Sequence, residues 1–331
     1  MSEDLIVLRP EGLYCPAGDF HIDPWRPVPR AVITHGHADH ARSGSQLYHC
    51  AAPGVSLLQH RLSADAAIVG HDYGAGFELG AARVSLHPAG HILGSAQVRV
   101  EAGDEVWVVT GDYKRETDPT CQRFEVVECN TLITEATFAL PCYRWPSIEQ
   151  TVDEILAWWD QCARDHVPAV LFCYALGKVQ RLLAELAQRV NRPVYLHGAM
   201  LALVELYRAA GIVMLPTEAV SEQARARDFA GELILAPPSA AGSPWMRRFA
   251  QASTAFASGW MLIRGNRRRR GYDRGLALSD HADWPALIDT IRASGARRVL
   301  ATHGNTDALV RHLNETGITA ETLRTDFGGE D

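Results

Sequence analysis

Residues 34–40 of the chain read Thr-His-Gly-His-Ala-Asp-His, which places three imidazoles and one carboxylate within six positions. Because each buried polar group needs a partner, such a density is incompatible with ordinary core packing. The apolar run before it predicts a strand that ends and delivers its polar side chains into a turn. His35 and His37 then project to one side, while Asp39 and His40 point elsewhere. Imidazole with carboxylate suits zinc, and also manganese or iron, so the motif predicts a metal site; the alternative is a solvated histidine-rich loop.

Composition narrows the class of protein. A chain of 331 residues with 47% apolar content exceeds one typical domain and can bury a core. Its formal net charge of −7 excludes a generally basic nucleic-acid coat, so an anionic ligand requires a local basic patch. The seven cysteines form no Cys-x-x-Cys pair, which favours reduced thiols over disulfide bonds. We find no signal peptide and no apolar run of the ~18 residues that cross a membrane, and we expect a cytoplasmic protein.

Further strand-like segments also end in polar residues. His91 lies near two glycines after one such strand, Asp112 follows a predicted hairpin, Glu135 follows a third strand, and His303 ends a strand near the end of the chain. A sheet protein builds an active site by delivering such residues from several strand ends to one edge. The repetition of this pattern therefore predicts a polar site at the edge of a sheet.

The candidate metal ligands form two groups around one shared carboxylate. They are His35, His37 and His91 for the first ion, Asp39, His40 and His303 for the second, and Asp112 as the bridge. Two cations about 3.5–4 Å apart can share a hydroxide, which would attack a phosphoryl group without a Ser or Cys nucleophile. Asp39 is also placed among the catalytic candidates because it would hold the second ion.

The leaving oxygen needs a proton, and His281 is the candidate acid, with Glu135 or Asp283 to orient it. The alternative for His281 and His303 is a capping or core role. Asp23 is interpreted either as a turn residue or as a carboxylate that orients a metal-ligating histidine.

From about residue 146 the pattern changes to alternating helices and strands, which predicts a small parallel, doubly wound layer. Ser147 and Gln150 resemble a capping box at the start of its first helix. We predict a first domain segment at 1–145, an inserted domain at 146–262 and a return segment at 263–331.

One charge run stands out on this acidic chain. Residues 247–274 contain eight arginines and one acid, a local charge of about +7. Such a run is either a solvated loop or a patch that follows phosphates. The candidate phosphate contacts within it are Arg264, Arg267, Arg268, Arg269 and Arg270.

Taken together, these motifs resemble the metallo-β-lactamase fold, because the 34–40 loop, His91 and the Thr-Gly-Asp that carries Asp112 follow one another in the order of its signature. The inserted domain and the later motifs narrow the resemblance to the β-CASP nucleases. The family's motif A resembles TEATF with Glu135, motif B resembles LSDHAD with His281, and motif C resembles ATHG with His303. Ala-Leu-Gly-Lys resembles the family's helix start, so Gly177 and Lys178 are expected to bind phosphate, as helix N-termini do.

The resemblance covers nearly the whole chain and carries expectations about fold and function. It implies a four-layer αββα metallo-β-lactamase sandwich with an inserted doubly wound α/β β-CASP domain, two divalent ions (zinc or manganese), and metal-dependent cleavage of nucleic acid. The motifs FHIDPW, ASGWM and LSDHADW are similar to those of bacterial ligase-associated DNA exonucleases, relatives of the Artemis-type and messenger-RNA 3′-end processing nucleases. This implies an exonuclease in DNA repair, functionally linked to an ATP-dependent DNA ligase.

Three alternatives stay open. A histidine at motif C, as at His303, is typical of RNA-processing members, so an RNA-processing nuclease is the first alternative. The metal motifs alone also fit a small-molecule thioesterase or lactonase, although that function leaves the insertion and the arginine run without a role. A nucleic-acid scaffold without catalysis is the third, and it would be expected to have lost metal ligands that are all present here.

Overall fold

The computed structural model describes residues 4–220, 226–249, 251–263 and 271–325. The chain divides into two units: the first comprises Met1–Arg144 and His281–Asp331, and the second comprises Trp145–Asp280. The return to the first unit comes at His281, later than the predicted residue 263. The reason is that the strand Arg274–Leu276 still pairs with the sheet of the second unit.

The first unit contains two sheets. The strands of the first sheet lie in chain order, and they are β1 (Val7–Arg9), β2 (Gly12–Cys15), β3 (Phe20–Ile22), β4 (Arg30–Val32), β5 (Leu47–Ala51) and β6 (Ile68–His71). The second sheet has the order β19-β18-β11-β10-β9-β8-β7. Its strands are β7 (Gly76–Leu79), β8 (Ala82–Pro88), β9 (Ala96–Ala102), β10 (Glu105–Val109), β11 (Thr131–Glu135), β18 (Arg298–Thr302) and β19 (Thr319–Thr322). The predicted hairpin is confirmed, because β9 and β10 pair antiparallel.

The two sheets of the first unit pack face to face. Ile22 and Val32 of the first sheet share one buried cluster with Val84, Val98 and Trp107 of the second. Alternate residues of β2, β3, β8, β9 and β10 point into this cluster, as the two-residue period of a strand requires. The interior between the sheets is therefore one continuous apolar core.

Helices cover the outer faces of both sheets. Helix α1 (Val55–Leu62) packs through Leu58 against Ala31 and Tyr48 of the first sheet. Helices α5 (Trp284–Ala293) and α6 (Thr306–Glu315) pack against the outer face of the second sheet.

The second unit is built on one six-stranded sheet whose neighbouring strands all pair in parallel, in the order β14-β13-β15-β12-β16-β17. Its strands are β12 (Ala169–Phe172), β13 (Val194–Leu196), β14 (Thr217–Ala219), β15 (Leu233–Ala236), β16 (Ser253–Ala257) and β17 (Arg274–Leu276). Within its described residues, the α-helices are α2 (Ile148–Arg164), α3 (Lys178–Ala187) and α4 (Gly198–Ala209). The parallel layer predicted for this region is thus present.

The two faces of this parallel sheet are covered differently. Helices α2, α3 and α4 all contribute to the cluster that contains Leu171 and Leu235. The opposite face, with Val170 and Ile234, packs against segments that contain short 3₁₀ turns. A doubly wound layer was predicted, and within the described ranges the second face carries 3₁₀ turns in place of α-helices.

The capping box predicted for helix α2 is confirmed. Ser147 Oγ accepts a hydrogen bond from the Gln150 N–H, and the Gln150 side chain accepts one from the Ser147 N–H. Two donors that the first helical turn leaves unpaired are satisfied in this way. Trp158 and Trp159 on the same helix are buried, so the helix is held by its cap and by its apolar face.

Two further findings concern membrane-spanning helices and the cysteines. None of the helices within the described residues is long and apolar enough to traverse a bilayer. All seven cysteines carry free thiols.

Candidate metal centre

The candidate ligands lie where neighbouring strands of the first unit end. Strands β10, β11 and β18 are mutually parallel neighbours, so their carboxyl ends meet at one edge of the second sheet. Strand β10 leads to Asp112, β11 ends in Glu135, and β18 leads to His303. His91 lies between β8 and β9, and the 34–40 loop follows β4. The arrangement matches the predicted delivery of polar residues by strand ends.

Three histidines and one aspartate form the first group of donors. His37 Nδ1 lies 3.1 Å from His35 Nε2 and 3.1 Å from His91 Nε2. Asp112 Oδ2 lies 3.4 Å from His35 Nε2 and 3.8 Å from His91 Nε2. A tetrahedral zinc ion with bonds of about 2.0–2.1 Å requires donor atoms about 3.3–3.4 Å apart. The spacing and the chemistry of the four donors fit such an ion.

Asp39, His40 and His303 form the second group, with donor atoms within 4.8 Å of one another. His40 Nε2 lies 3.7 Å from Asp39 Oδ2, and its ring stacks on that of His303 at 5.4 Å between centroids. The same Asp112 Oδ2 atom that faces the first group lies 3.6 Å from His40 Nε2. Asp112 is therefore placed between the two groups, as a bridging ligand would be.

The electrostatics of the first group favour a cation. Burial lowers the pKa of His35 and of His91 well below the ordinary value, so both rings are neutral at pH 7 and present lone pairs. Burial works against ionisation of Asp112, but His40, His281 and His35 outweigh it and hold its pKa well below the ordinary range. Among the described residues, Asp112 forms its ion pairs with His35, His40 and His91. A buried carboxylate among neutral imidazoles is a donor set for a divalent ion.

The second group sits in a more acidic environment. Burial disfavours the charged form of His40, but the carboxylates of Asp112, Asp23 and Asp39 outweigh burial and raise its pKa to about 10. Burial lowers the pKa of His303. Three carboxylates around one imidazole stabilise positive charge at this position, which is the property that a second cation requires.

Asp23 lies beneath the second group. Its Oδ2 atom lies 2.7 Å from His40 Nδ1, and it accepts hydrogen bonds from Thr34 N–H to Oδ1 at 2.7 Å and from Thr34 Oγ1 to Oδ2 at 2.5 Å. All three residues are buried. A carboxylate on the far nitrogen of a metal-ligating histidine orients the ring and raises its basicity. Asp23 thus contacts both the His40 ring and the Thr34 turn, and its orienting role stays a prediction.

His281 and Glu135 form a buried pair beside the metal ligands. His281 Nδ1 lies 2.8 Å from Glu135 Oε2, and Glu135 Oε1 accepts a hydrogen bond from Tyr113 N–H at 2.7 Å. Burial raises the pKa of Glu135, partly offset by His281. The His281 ring lies 4.8 Å from that of His91. This geometry brings the candidate acid next to the first group and orients it through Nδ1.

Asp283 and Glu135 were both candidates to orient His281, and Glu135 contacts its Nδ1 atom. The Asp283 side chain caps helix α5, where Oδ1 accepts a hydrogen bond from Ala286 N–H at 3.0 Å. A short carboxylate at the first residue before a helix satisfies one of its unpaired N–H groups.

The helix start with Gly177 and Lys178 in the second unit has its polar groups engaged. Gly177 N–H donates to Gln180 Oε1 at 2.7 Å, and Gly177 has a φ of 87°, which favours glycine. Lys178 is buried, and its Nζ lies 2.8 Å from Asp280 Oδ2. Arg181 Nη1 donates to Ser279 O at 2.8 Å. These contacts indicate a structural role for the helix start, while its contact with phosphate stays a prediction.

The arginine run is the last set of predicted phosphate contacts. Arg264, Arg267, Arg268, Arg269 and Arg270 lie outside the described residues.

Sequence reasoning missed two contributors to these contacts. Thr34 donates twice to Asp23, and Arg181 joins the Lys178–Asp280 pair. The position of Thr34 directly before the histidines was a usable signal. Arg181 gave none, because its partner lies 99 residues away in the chain.

Comparison with known proteins supports the same family. The chain is 33% identical over 313 residues to a probable DNA ligase of Opitutus terrae, covering 93% of this chain and 30% of that protein. It is 28% identical over 211 residues to the transcription termination factor FttA of Methanothermobacter thermautotrophicus, covering 50% of this chain and 33% of that protein. It is 29% identical over 153 residues to the endoribonuclease YSH1 of Gibberella zeae, covering 44% and 18%. The chain thus spans a third or less of each of these relatives.

A solved structure shows a similar fold. The crystal structure of a protein of unknown function from Enterococcus faecalis matches with a TM-score of 0.59 and 13% identity, over 90% of this chain and 80% of that one. No protein-family model matches the chain. The relatives, the strand-end ligands and the inserted parallel layer agree with one another, and together they support a protein of the β-CASP, metallo-β-lactamase-fold type.

Proposed function

We propose that this chain is a metal-dependent phosphodiesterase that cleaves nucleic acid, specifically a DNA exonuclease that acts in DNA repair beside an ATP-dependent DNA ligase. The observation that carries the proposal is the position of Asp112 Oδ2, within 3.4–3.8 Å of donor nitrogens from both groups of ligands. One oxygen facing two sets of donors is the arrangement of a two-ion site.

We assign the ligands to two ions, zinc or manganese. His35, His37 and His91 would hold the first, Asp39, His40 and His303 the second, and Asp112 both. When bound, the ions supply Lewis acidity toward the oxygens of the phosphodiester. Asp23 keeps the His40 ring in one orientation. We also propose that the two sheets and three helices of the first unit form the αββα sandwich typical of the fold.

His281 is proposed to give a proton to the leaving oxygen. Its Nδ1 is engaged by Glu135 at 2.8 Å, so Nε2 is the atom that exchanges the proton. Glu135 in turn is held by the Tyr113 N–H, and the Ala282 N–H donates to Tyr113 O at 2.7 Å. These bonds limit the rotation of the imidazole, and a positioned acid of this kind contributes about 10²–10⁴-fold to a rate.

Support for DNA comes from the probable DNA ligase that aligns with 93% of this chain. Support for the alternative, an RNA-processing nuclease, comes from the transcription termination factor, the endoribonuclease and the histidine at position 303. The phosphates of either substrate are proposed to meet Gly177 and Lys178 and the run from Arg264 to Arg270. The free cysteines favour a reducing compartment, and we propose a cytoplasmic location.

The test is a time course with purified chain on 5′- and 3′-labelled single and double strands of DNA and RNA, in zinc and in manganese. Stepwise shortening of DNA from one end supports the proposal. Faster cleavage of the matched RNA would favour the alternative. His37→Ala should abolish cleavage, whereas His60→Ala, which changes an exposed histidine of helix α1, should leave it unchanged. Cleavage that survives His37→Ala would overturn the proposal.

A further inference from the structure

We propose that the second unit carries a base-stacking surface for unpaired nucleic acid, formed by Trp245, His197 and Arg248. We call these three residues the Trp245 platform. The inference rests on the proposed function, since it assumes that the substrate is nucleic acid. It deepens that function by assigning a subsite that reads the faces of unpaired bases.

The placement of the platform is the first argument. His197 directly follows strand β13, and Trp245 and Arg248 lie in the 3₁₀ segment Pro244–Phe249, which follows β15 in the chain. Strands β13 and β15 are parallel neighbours. In open parallel sheets, ligands bind beyond the carboxyl ends of the strands, because the loops there converge.

The geometry of the platform is the second argument. The Trp245 ring centroid lies 4.8 Å from that of His197, and the Arg248 guanidinium carbon lies 5.7 Å from the indole centroid. Arg248 Nε donates to Trp245 O at 3.1 Å, which ties the cation to the same turn. Trp245 is half-buried and packs on the buried Phe249 at 4.8 Å. A ring held by packing, partly exposed and flanked by a cation, meets the requirements for stacking a base.

The charge of this region is the third argument. Residues 233–272 contain seven arginines and two tryptophans but no aspartate or glutamate, on a chain whose net charge is −7. The charge is therefore concentrated where the platform lies in the sequence. Arginines among aromatic rings without acids complement a phosphate backbone with exposed bases.

The chemistry selects the form of the nucleic acid. In a duplex both faces of each internal base are covered by neighbouring pairs, so an unpaired strand offers Trp245 a face at every base whereas a duplex offers one only at its ends. The proposal therefore predicts that the chain binds a single strand more tightly than a duplex of the same length. Stacking depends little on base identity, so sequence preference should be weak.

The test compares a normal single strand with an abasic strand of equal length, by fluorescence anisotropy of an end-labelled oligonucleotide in EDTA, where cleavage cannot proceed. Trp245→Ala should weaken binding of the normal strand about fivefold or more, the equivalent of about 1 kcal/mol, and should not affect the abasic strand. Trp245→Phe keeps a ring and should retain most of the affinity. Trp25→Phe in the first unit is the control. An equal loss on both strands, or no loss on either, would overturn the proposal.

Two further measurements keep the outcomes separate. Trp245→Leu fills the space without a ring. If circular dichroism shows that Trp245→Ala does not fold, the comparison of Trp245→Phe with Trp245→Leu replaces it. Hydrolysis of bis(4-nitrophenyl) phosphate by the metal-loaded chain reports on the proposed function, because this small diester does not need the platform. Base-dependent binding without hydrolysis of any diester would refute the proposed nuclease function and support the Trp245 platform. Hydrolysis without base-dependent binding would support the nuclease function and refute the platform.

Discussion

At the scale of single residues, the centre depends on which charges are buried together. Asp112, Asp23 and Asp39 surround His40, and the neutral rings of His35 and His91 lie opposite. Asp112 and Asp23 are buried with histidines as ion-pair partners, and burying carboxylates in this way is costly unless cations compensate their charge. The donor set therefore favours the binding of metal ions. Removing one of its carboxylates should, for the same reason, strongly weaken metal binding.

The orienting role of Asp23 gives the first prediction. Asp23→Asn keeps the size of the side chain and tolerates the φ of 44°, but it removes the charge that faces His40 Nδ1. The affinity for zinc or manganese should fall about 10- to 100-fold, the usual cost of losing such a partner. Calorimetric titration with metal measures it. Asp19→Asn, at a φ of 47° and exposed, is the matched control. An unchanged metal affinity of Asp23→Asn would show that Asp23 is only a turn residue.

His49 and His71 form a histidine pair away from the metal ligands. The burial of His49 predicts that the stability of the fold depends on pH. Burial, with smaller contributions from His71 and Arg30, lowers the pKa of His49 from 6.5 to about 4. The unfolded chain binds the proton more tightly, so stability is full above pH 6.5 and decreases as the pH falls toward 4. The loss from this group is at most about 3 kcal/mol.

Urea unfolding at pH 7.5 and pH 5 measures this loss. His49→Gln cannot take up the proton, so its free energy of unfolding should change less between the two values than that of the unchanged chain. The same variant should not alter metal affinity, because His49 contacts His71 and Phe77. A variant whose stability falls with pH as steeply as the original would show that His49 is not responsible.

At the scale of elements, the site depends on how closely two strand ends approach. Gly304 follows His303 with a φ of 67°, and a Cβ there would lie 2.4 Å from Ala136 O and 2.6 Å from Thr137 Cα. Asn305 N–H also donates to Ala136 O at 3.0 Å. The turns after β18 and β11 can thus meet only because glycine occupies this position, and the meeting places His303 near Glu135.

Gly304→Ala should therefore displace His303 and weaken binding of the second ion. Gly317→Ala is the matched control, since Gly317 has a φ of 89° with no atom within 4 Å of an added Cβ. Both variants carry the strain of a positive φ, but only Gly304→Ala adds overpacking, which typically costs about 1–3 kcal/mol. Thermal unfolding and metal content measured together should separate the two variants. Equal losses in both would refute the packing argument.

The same elements show what the sequence could and could not predict. The period of apolar residues predicted the β9–β10 hairpin, helix α2 with its Ser147 cap, and the strand ends that carry Asp112, Glu135 and His303. These features are local, so a single sequence contains them. The pairing of β17 with β16, the 3₁₀ turns and the contact of Arg181 with Ser279 are decided by packing between distant segments. Periodicity carries no information on such partners, and the return to the first unit was placed too early for that reason.

At the scale of the whole molecule, the proposed function requires an acidic chain to attract a polyanion. The arginines at 264 and 267–270 provide the local positive charge, on a chain of net charge −7. If Arg267, Arg268, Arg269 and Arg270 contact phosphates, changing all four to Ala should weaken binding. The slope of log affinity against log salt for a single strand should then fall by up to about 3. Lysine at all four positions keeps the charge and should keep most of the slope. An unchanged slope in the alanine variant would make the run a solvated loop.

The central claim is that two divalent ions share Asp112 and that both are needed to cleave nucleic acid. The most direct measurement strips the chain with a chelator, adds zinc or manganese in steps, and records the metal content per chain beside the rate of cleavage of labelled single-stranded DNA. The account predicts no cleavage without metal and a rate that reaches its plateau at two ions per chain, with both lost in Asp112→Asn. Cleavage by the metal-free chain, or full activity of Asp112→Asn, would contradict it.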